Sequence, residues 1–136
     1  GSNLRTGSLD GVLDFYLLTP GAEQARIWPR VSYHERVHEG VTLRAKVATM
    51  GLATFAEAAA GERADTTIWA RFVQPSALVF ERGAAARSAV AGAIAAAAQT
   101  AARLAAALGP PSGTPADYWR ALFRSFAVYR RGTGGT

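Results

Sequence analysis

Two runs of alternating character on either side of Glu39-Gly40 constrain the fold of this chain more than any other feature. From Val31 to His38, Val31, Tyr33, Glu35 and Val37 take one side, and Ser32, His34, Arg36 and His38 take the other. This is the period of two that a strand imposes on its side chains. From Thr42 to Thr49 the same period puts Thr42, Arg44, Lys46 and Ala48 on one face, with Leu43, Ala45 and Val47 on the other. Glu39-Gly40 has the composition of a tight turn, so the two runs predict a β-hairpin. A further short apolar run, Val12 to Leu18, reads as a strand closed by the turn residues Thr19-Pro20-Gly21.

The rest of the chain has helical punctuation. Residues 51–62 read as a helix whose buried stripe is Leu52, Phe55 and Ala59. Ala64-Asp65-Thr66-Thr67 offers an N-cap for a second helix over 68–73, stopped before Pro75. Ala77 to Glu81 reads as a last short strand. A long alanine-rich helix is expected from about Ala84 to Leu108, because alanine has the highest intrinsic helix propensity. Gly109-Pro110-Pro111 ends it. Thr114 as a cap with Pro115 in the first turn starts a final helix through about Tyr129, with Tyr118, Leu122, Phe126 and Tyr129 as its core stripe. Residues 22–28 read as a short helix or loop, and 132–136 as a disordered tail. The expectation is an α+β fold, a mixed or antiparallel sheet with flanking helices. Residues 1–82 would form its core and 83–131 a C-terminal helical region.

Composition narrows the partners. A chain of 136 residues suits one domain with a real core, and the absence of cysteine excludes disulfides and thiolate metal sites. Its opening Gly-Ser-Asn lacks the basic-then-apolar pattern of a secretory leader. The stretch over 84–108 carries Arg87, Gln99 and Arg103 and is expected to be too weakly hydrophobic to span a bilayer. A net charge of +5 favours anionic partners, either through a binding patch or simply as an arginine-rich surface. No ladder of aromatic and basic residues suggests a nucleic-acid groove, so nucleic acid is not an expected partner. Fourteen of the fifteen basic residues are arginine, leaving Lys46 as the one lysine. A lone lysine marks a place suited to a compact, mobile ammonium.

The residues that point to chemistry lie on the strands. Asp14 sits inside the apolar run Val12–Leu18, where a buried carboxylate needs a cation or a metal to offset its desolvation. Gly1-Ser2 opens a polar, glycine-bearing turn ahead of that run. Such a turn can cradle phosphates with its N–H groups while the aspartate holds Mg²⁺ against them, the arrangement of a nucleotidyltransferase. Glu35 is the odd member of an apolar face. It is either a salt-bridged residue at the sheet rim or a second metal carboxylate. Arg44 and Lys46 make a cationic stripe that suits triphosphate oxygens, or an ordinary solvated strand face. His34 and His38, four apart on a strand, stand roughly 13 Å apart and do not make a metal pair. Trp69 and the Tyr118-Trp119 pair are either core or contacts to a membrane surface.

In order along the chain, Gly1-Ser2, Leu13-Asp14-Phe15, Val31-Ser32-Tyr33, Leu43-Arg44-Ala45-Lys46-Val47, Trp69-Ala70-Arg71-Phe72-Val73-Gln74-Pro75 and the alanine-rich helix with its proline-started successor resemble one family. It is that of the mitochondrial translocator assembly and maintenance proteins and their bacterial relatives, which are CDP-diacylglycerol synthases (phosphatidate cytidylyltransferases) of nucleotidyltransferase type. The resemblance spans nearly the whole chain. It implies a nucleotidyltransferase-like core and transfer of a cytidylyl group from CTP to phosphatidic acid, with Mg²⁺, in phospholipid biosynthesis. It also implies a cytoplasmic protein peripheral to the bacterial inner membrane. By position, Gly1, Ser2, Lys46, Arg44 and Arg71 would bind nucleotide, Asp14 and Lys46 would be catalytic, and Asp14 with Glu35 would hold the metal. Arg131 matches an arginine after the last helix. The departures are that Val12 and Tyr16 replace an Asp-x-Asp pair around Asp14, leaving Glu35 or Asp10 as the second carboxylate, and that Ala70 and Tyr129 stand where the family has glycine and an acidic residue. The segment before the Gly-Ser turn is also wanting, and the stretch Thr19 to Arg30 is short. Transfer to another acceptor, or an inactive nucleotide-binding or assembly module, is the alternative.

Overall fold

A computed structural model describes residue 4 and residues 7–21 and 29–125 of the chain. Among these, three strands precede four helices: β1 (Val12–Thr19), β2 (Arg30–His38), β3 (Val41–Gly51), α1 (Leu52–Ala59), α2 (Thr67–Phe72), α3 (Ala84–Leu108) and α4 (Pro115–Ser125). The hairpin forms where the alternation places it. β2 and β3 pair antiparallel, with His38 opposite Val41, so Glu39 and Gly40 are the whole loop. Both have positive φ, 50° and 77°, as a two-residue turn matched to the strand twist demands.

Less expected is the place of β1. It pairs parallel with β3, giving the order β1-β3-β2, so the strand carrying Lys46 is central and flanked by the other two. The fold is mixed α+β, a three-stranded mixed sheet with helices; this order alone does not specify a nucleotidyltransferase.

The core lies where the helices meet the C-terminal ends of β1 and β3. Met50, Phe55, Ile68, Trp69 and Leu122 are its largest fully buried side chains. Tyr16 on β1 packs edge-on against Phe72 with ring centroids 4.9 Å apart, and Phe55 meets Phe72 at 5.0 Å. Along α3 the buried residues Ala93, Ala97, Ala101 and Ala105 recur every four positions on one face, the spacing of a helical stripe. Their small side chains let α1, which contributes Ala58 and Ala59 to the same cluster, come close. Thr100 on this seam donates to the Ala59 carbonyl at 2.8 Å and so closes the end of α1. The elements over 1–82 and over 83–125 therefore share one apolar cluster.

α3 starts and stops where its composition says it should. With 25 residues it is long and apolar enough, by length and composition alone, to cross a membrane, contrary to the expectation from its polar interruptions. In the structure it serves as the central core helix, with only its inner face covered. Gly109 ends it where α4 passes: a Cβ there would stand 2.8 Å from the Ala105 carbonyl oxygen and 2.6 Å from Tyr118 Cε1. Gly109→Ala is accordingly expected to cost about 1–3 kcal/mol through overpacking, read as a lower midpoint of urea denaturation. An unchanged midpoint would show that the α3–α4 junction opens freely.

α4 is capped reciprocally. The Thr114 hydroxyl accepts the Asp117 N–H at 3.3 Å, and the Asp117 carboxylate accepts the Thr114 N–H at 2.8 Å, while Arg120 pairs with the same carboxylate. This is a capping box with aspartate in the glutamate position. The backbone hydrogen bond from Thr114, then that from its hydroxyl and that from Arg120, hold the Asp117 carboxyl below the ordinary 3.8. A lowered folded-state pKa means that the contribution is present above the unfolded value and lost as pH falls through the folded one. Thermal stability is therefore expected to decline below about pH 4 in part through this group, and Asp117→Asn to remove that part of the acid slope. An identical slope in the variant would show that the cap does not titrate with folding.

One expected element does not form. Ala77 to Glu81 has strand composition but no strand neighbour among the described residues, and it leaves Leu78, Val79 and Phe80 exposed at 45%, 75% and 79%. Strand propensity becomes a strand only beside an edge to pair with. Residues 22–28, 126–129 and 132–136, on which other expectations rest, lie outside the described residues.

Candidate functional site

Because β3 is central, its Arg44-x-Lys46 stripe acquires neighbours on both sides. In register, Asp14 of β1 lies beside Lys46, and Tyr33 of β2 lies beside Lys46 on its other side. Two residues earlier along β3, Arg44 stands between Val12 and Glu35. Register partners share a face, and this is the face that carries Tyr16, Leu18, Ala48 and Met50 into the core further along. The helices cover only that later half. The earlier half is an open floor bearing Asp14, Lys46, Tyr33, Arg44 and Glu35.

Asp14 is consequently exposed, not buried as its apolar run implied. β1 extends past the helices, so the carboxylate stays in water and needs no offsetting charge to fold. Among the described residues no ion pair engages it, and Lys46 beside it, half-buried, has none either. Neighbouring strands place their Cα atoms about 4.8 Å apart, so the two groups reach one small ligand together. Arg44 and Glu35 face each other at 3.9 Å with both side chains largely exposed, a loose pair of little energetic weight. At the helix-covered border Arg71 of α2 lies over the Tyr16 ring, its guanidinium carbon 5.9 Å from the centroid. Tyr16 follows Asp14 by two residues on the same face, so Arg71 overlooks the floor from the α2 side.

The structure thus brings Asp14, Lys46, Arg44 and Arg71 to one surface. Glu35 shares the surface but stands apart from Asp14. β3 intervenes, which is about 9.6 Å across two strand spacings, and Glu35 is two residues out of step. Among the described residues no three His, Asp or Glu side chains converge as a ready-made cation cage. A shallow hollow of about 230 Å³ at the sheet's open end is lined by Val12, Tyr33, His34, Glu35, Arg44 and Ala45. It adjoins the Arg44–Glu35 pair and stops short of Asp14 and Lys46. Gly1, Ser2 and Arg131 lie outside the described residues.

Two side chains were not singled out from the sequence, Tyr33 as the flank of Lys46 and Tyr16 as the seat of Arg71. The alternation Tyr33-x-Glu35 carried the first signal, but only the pairing register says what Tyr33 stands beside. Trp69, a candidate for a membrane surface, is 2% exposed and belongs to the core. Tyr118 is packed against that core as well, while Trp119 is 37% exposed and stacks on Phe123 at 6.2 Å. His34 shares a 2.9 Å hydrogen bond with Ser32 on the opposite sheet face.

No family model, no curated protein and no solved structure matches this chain. The class that fold and site define is therefore a structural one, a mixed α+β domain with a cationic, half-open sheet face around a single unpaired carboxylate.

Proposed function

We propose that this floor binds the triphosphate of CTP and that the protein transfers the cytidylyl group to phosphatidic acid. The observation that carries the reading is the register of Asp14 beside Lys46, with Arg44 and Arg71 on the same face. Lys46, Arg44 and Arg71 around Asp14, a carboxylate in no ion pair among the described residues, suit a polyanion bound with a divalent cation, since Mg²⁺ takes one or two protein carboxylates and completes its shell with phosphate oxygens and water. Asp14 fits that role, while Glu35 lies across β3 from it, beside Arg44. The choice of CTP and of a lipid phosphate rests on the motif order along the chain.

In this mechanism a phosphate oxygen of phosphatidic acid attacks the α-phosphorus of CTP. A new P–O–P bond forms, the bond to the β-phosphate breaks, and pyrophosphate leaves. The nucleophile is already anionic at neutral pH, so no protein base is needed. Lys46 and Arg44 hold the non-bridging oxygens and stabilise charge gathering on the leaving pyrophosphate. Arg71, seated on Tyr16, steers the second anion toward the floor. A divalent cation, when bound, offsets charge at the reacting phosphorus.

The deciding experiment is conversion of labelled CTP into lipid-extractable product, with phosphatidic acid in detergent and with or without Mg²⁺. Product that needs both supports the reading. Mg²⁺-dependent CTP binding without product moves the assignment to another acceptor or an inactive nucleotide-binding module, and neither binding nor product overturns it. Lys46→Arg is expected to lose most of the turnover, because a planar guanidinium does not replace a compact ammonium at close quarters. Wild-type rates in that variant would make Lys46 an ordinary surface cation.

A further inference from the structure

Among the described residues, two parts of this chain are ready to pair as strands and have no strand partner. The first is the outer edge of β1. In the order β1-β3-β2 both outer strands expose unpaired backbone groups, a liability that proteins blunt with charge, proline or a cover. β2 is blunted, since it bears Arg30, His34, Glu35, Arg36 and His38 and is exposed along its whole length. β1 is not. Its eight residues Val-Leu-Asp-Phe-Tyr-Leu-Leu-Thr contain one charge, Asp14, and no proline, and Val12, Phe15 and Leu17 are 49%, 37% and 51% exposed.

The second is Ala77-Leu78-Val79-Phe80. Apolar on both sides, it has the composition of a strand covered on both faces, yet Val79 and Phe80 are three-quarters or more exposed. Its ends are pinned. Phe72 is wedged between Tyr16 and Phe55, and Glu81 is bound to Arg87 on α3 at 2.6 Å. Between these anchors the segment stands free of its own β1.

We propose that two copies of this chain associate by exchanging these elements, residues 77–80 of each adding as a strand to the outer edge of β1 of the other. The unguarded edge selects β1 over β2, and each copy supplies both halves of the contact, so a two-fold arrangement closes on itself with both β1 edges occupied. Addition of a strand to an exposed sheet edge is a common mode of recognition. Pairing would also cover the apolar side chains Phe15 and Leu17, which lie beside Val47 and Thr49 on the sheet face that no described helix covers. The inference does not depend on the nucleotide reading.

The test uses the full chain. Sedimentation velocity over a range of concentrations is expected to show a monomer–dimer equilibrium. Val79→Pro removes a ladder donor at an exposed position outside every described helix and strand, and is expected to abolish the dimer while leaving unchanged the circular dichroism and, at concentrations where the wild type is monomeric, the melting. Because the chain has no cysteine of its own, mixing a Leu17→Cys chain with a Val79→Cys chain under oxidising conditions reports the contact directly. A disulfide-linked heterodimer is expected, with Phe15→Cys as a second site should the register differ. A wild-type chain that stays monomeric at every concentration would overturn the proposal. So would a Val79→Pro chain that still dimerises, or a Leu17→Cys/Val79→Cys double variant that crosslinks only within one chain.

Discussion

An Asp14→Ala variant is expected to lose Mg²⁺-dependent transfer altogether while melting at the wild-type temperature. The two halves of that result come from different features of the same position. Asp14 lies on an open floor, exposed and without an ion-pair partner among the described residues. Removing it therefore breaks no contact that holds the fold, and surface changes of this kind seldom move stability by more than about 0.5 kcal/mol. Had the carboxylate been buried, alanine would have relieved a desolvation cost and raised the melting temperature. Functionally, Asp14 is the carboxylate in register beside Lys46, while Glu35 stands across β3 and two residues out of step. Asp14→Asn, isosteric and uncharged, should be as inactive as alanine. Calorimetric titration of CTP should show the Mg²⁺-dependent part of binding gone in both variants. A variant with full turnover would remove Asp14 from the site, and one with a markedly shifted melting temperature would mean that the carboxylate is structural.

The second large effect concerns stability. Trp69→Ala is expected to cost about 3–5 kcal/mol, the range for emptying a large aromatic from a packed interior. Trp69 is 2% exposed and lies in one cluster with Met50, Phe55, Ile68 and the inner alanines of α3. Alanine side chains on α1 and α3 cannot expand to fill the void, so the cavity term should be near its upper range. Against a total stability of about 5–15 kcal/mol for a domain of this kind, such a loss removes a large share of the folding free energy. Equilibrium urea denaturation followed by far-ultraviolet circular dichroism measures it, with Trp69→Phe as the milder control. A loss below about 1 kcal/mol would place Trp69 outside the cooperative core and contradict the packing described.

The hairpin, the boundaries of α3 and the start of α4 were legible in the residues because each depends on neighbours along the chain. Alternation, the Glu39-Gly40 turn, an alanine-rich run and a Thr-Pro cap act over a few positions, and the structure forms all four. Legibility failed where a residue's state depends on what lies across from it. Val12–Leu18 is a strand as its apolar content says, but its parallel pairing with β3 is a long-range choice that no local pattern encodes. Asp14 was read as buried for the same reason. An apolar run announces a strand, while the reach of the helices decides which part of that strand is covered. Ala77 to Glu81 shows the converse, a strand by composition that stays irregular with no described strand paired beside it.

The candidate site divides in the same way. From the residues alone came the list of charged groups on strands, Asp14, Glu35, Arg44 and Lys46, together with the pairing of Arg44 and Lys46 on one face. The tertiary structure decided which of them meet. By inserting β3 between β1 and β2, it set Lys46 against Asp14, separated Glu35 from Asp14 and gave Glu35 to Arg44. Sequence determines side-chain chemistry and the period with which it repeats, because both are set by covalent structure and local backbone geometry. Strand order, register and the extent of helix cover are settled by burial of apolar surface over the whole molecule, and it is these that made one face of the sheet a core at one end and an open cationic floor at the other.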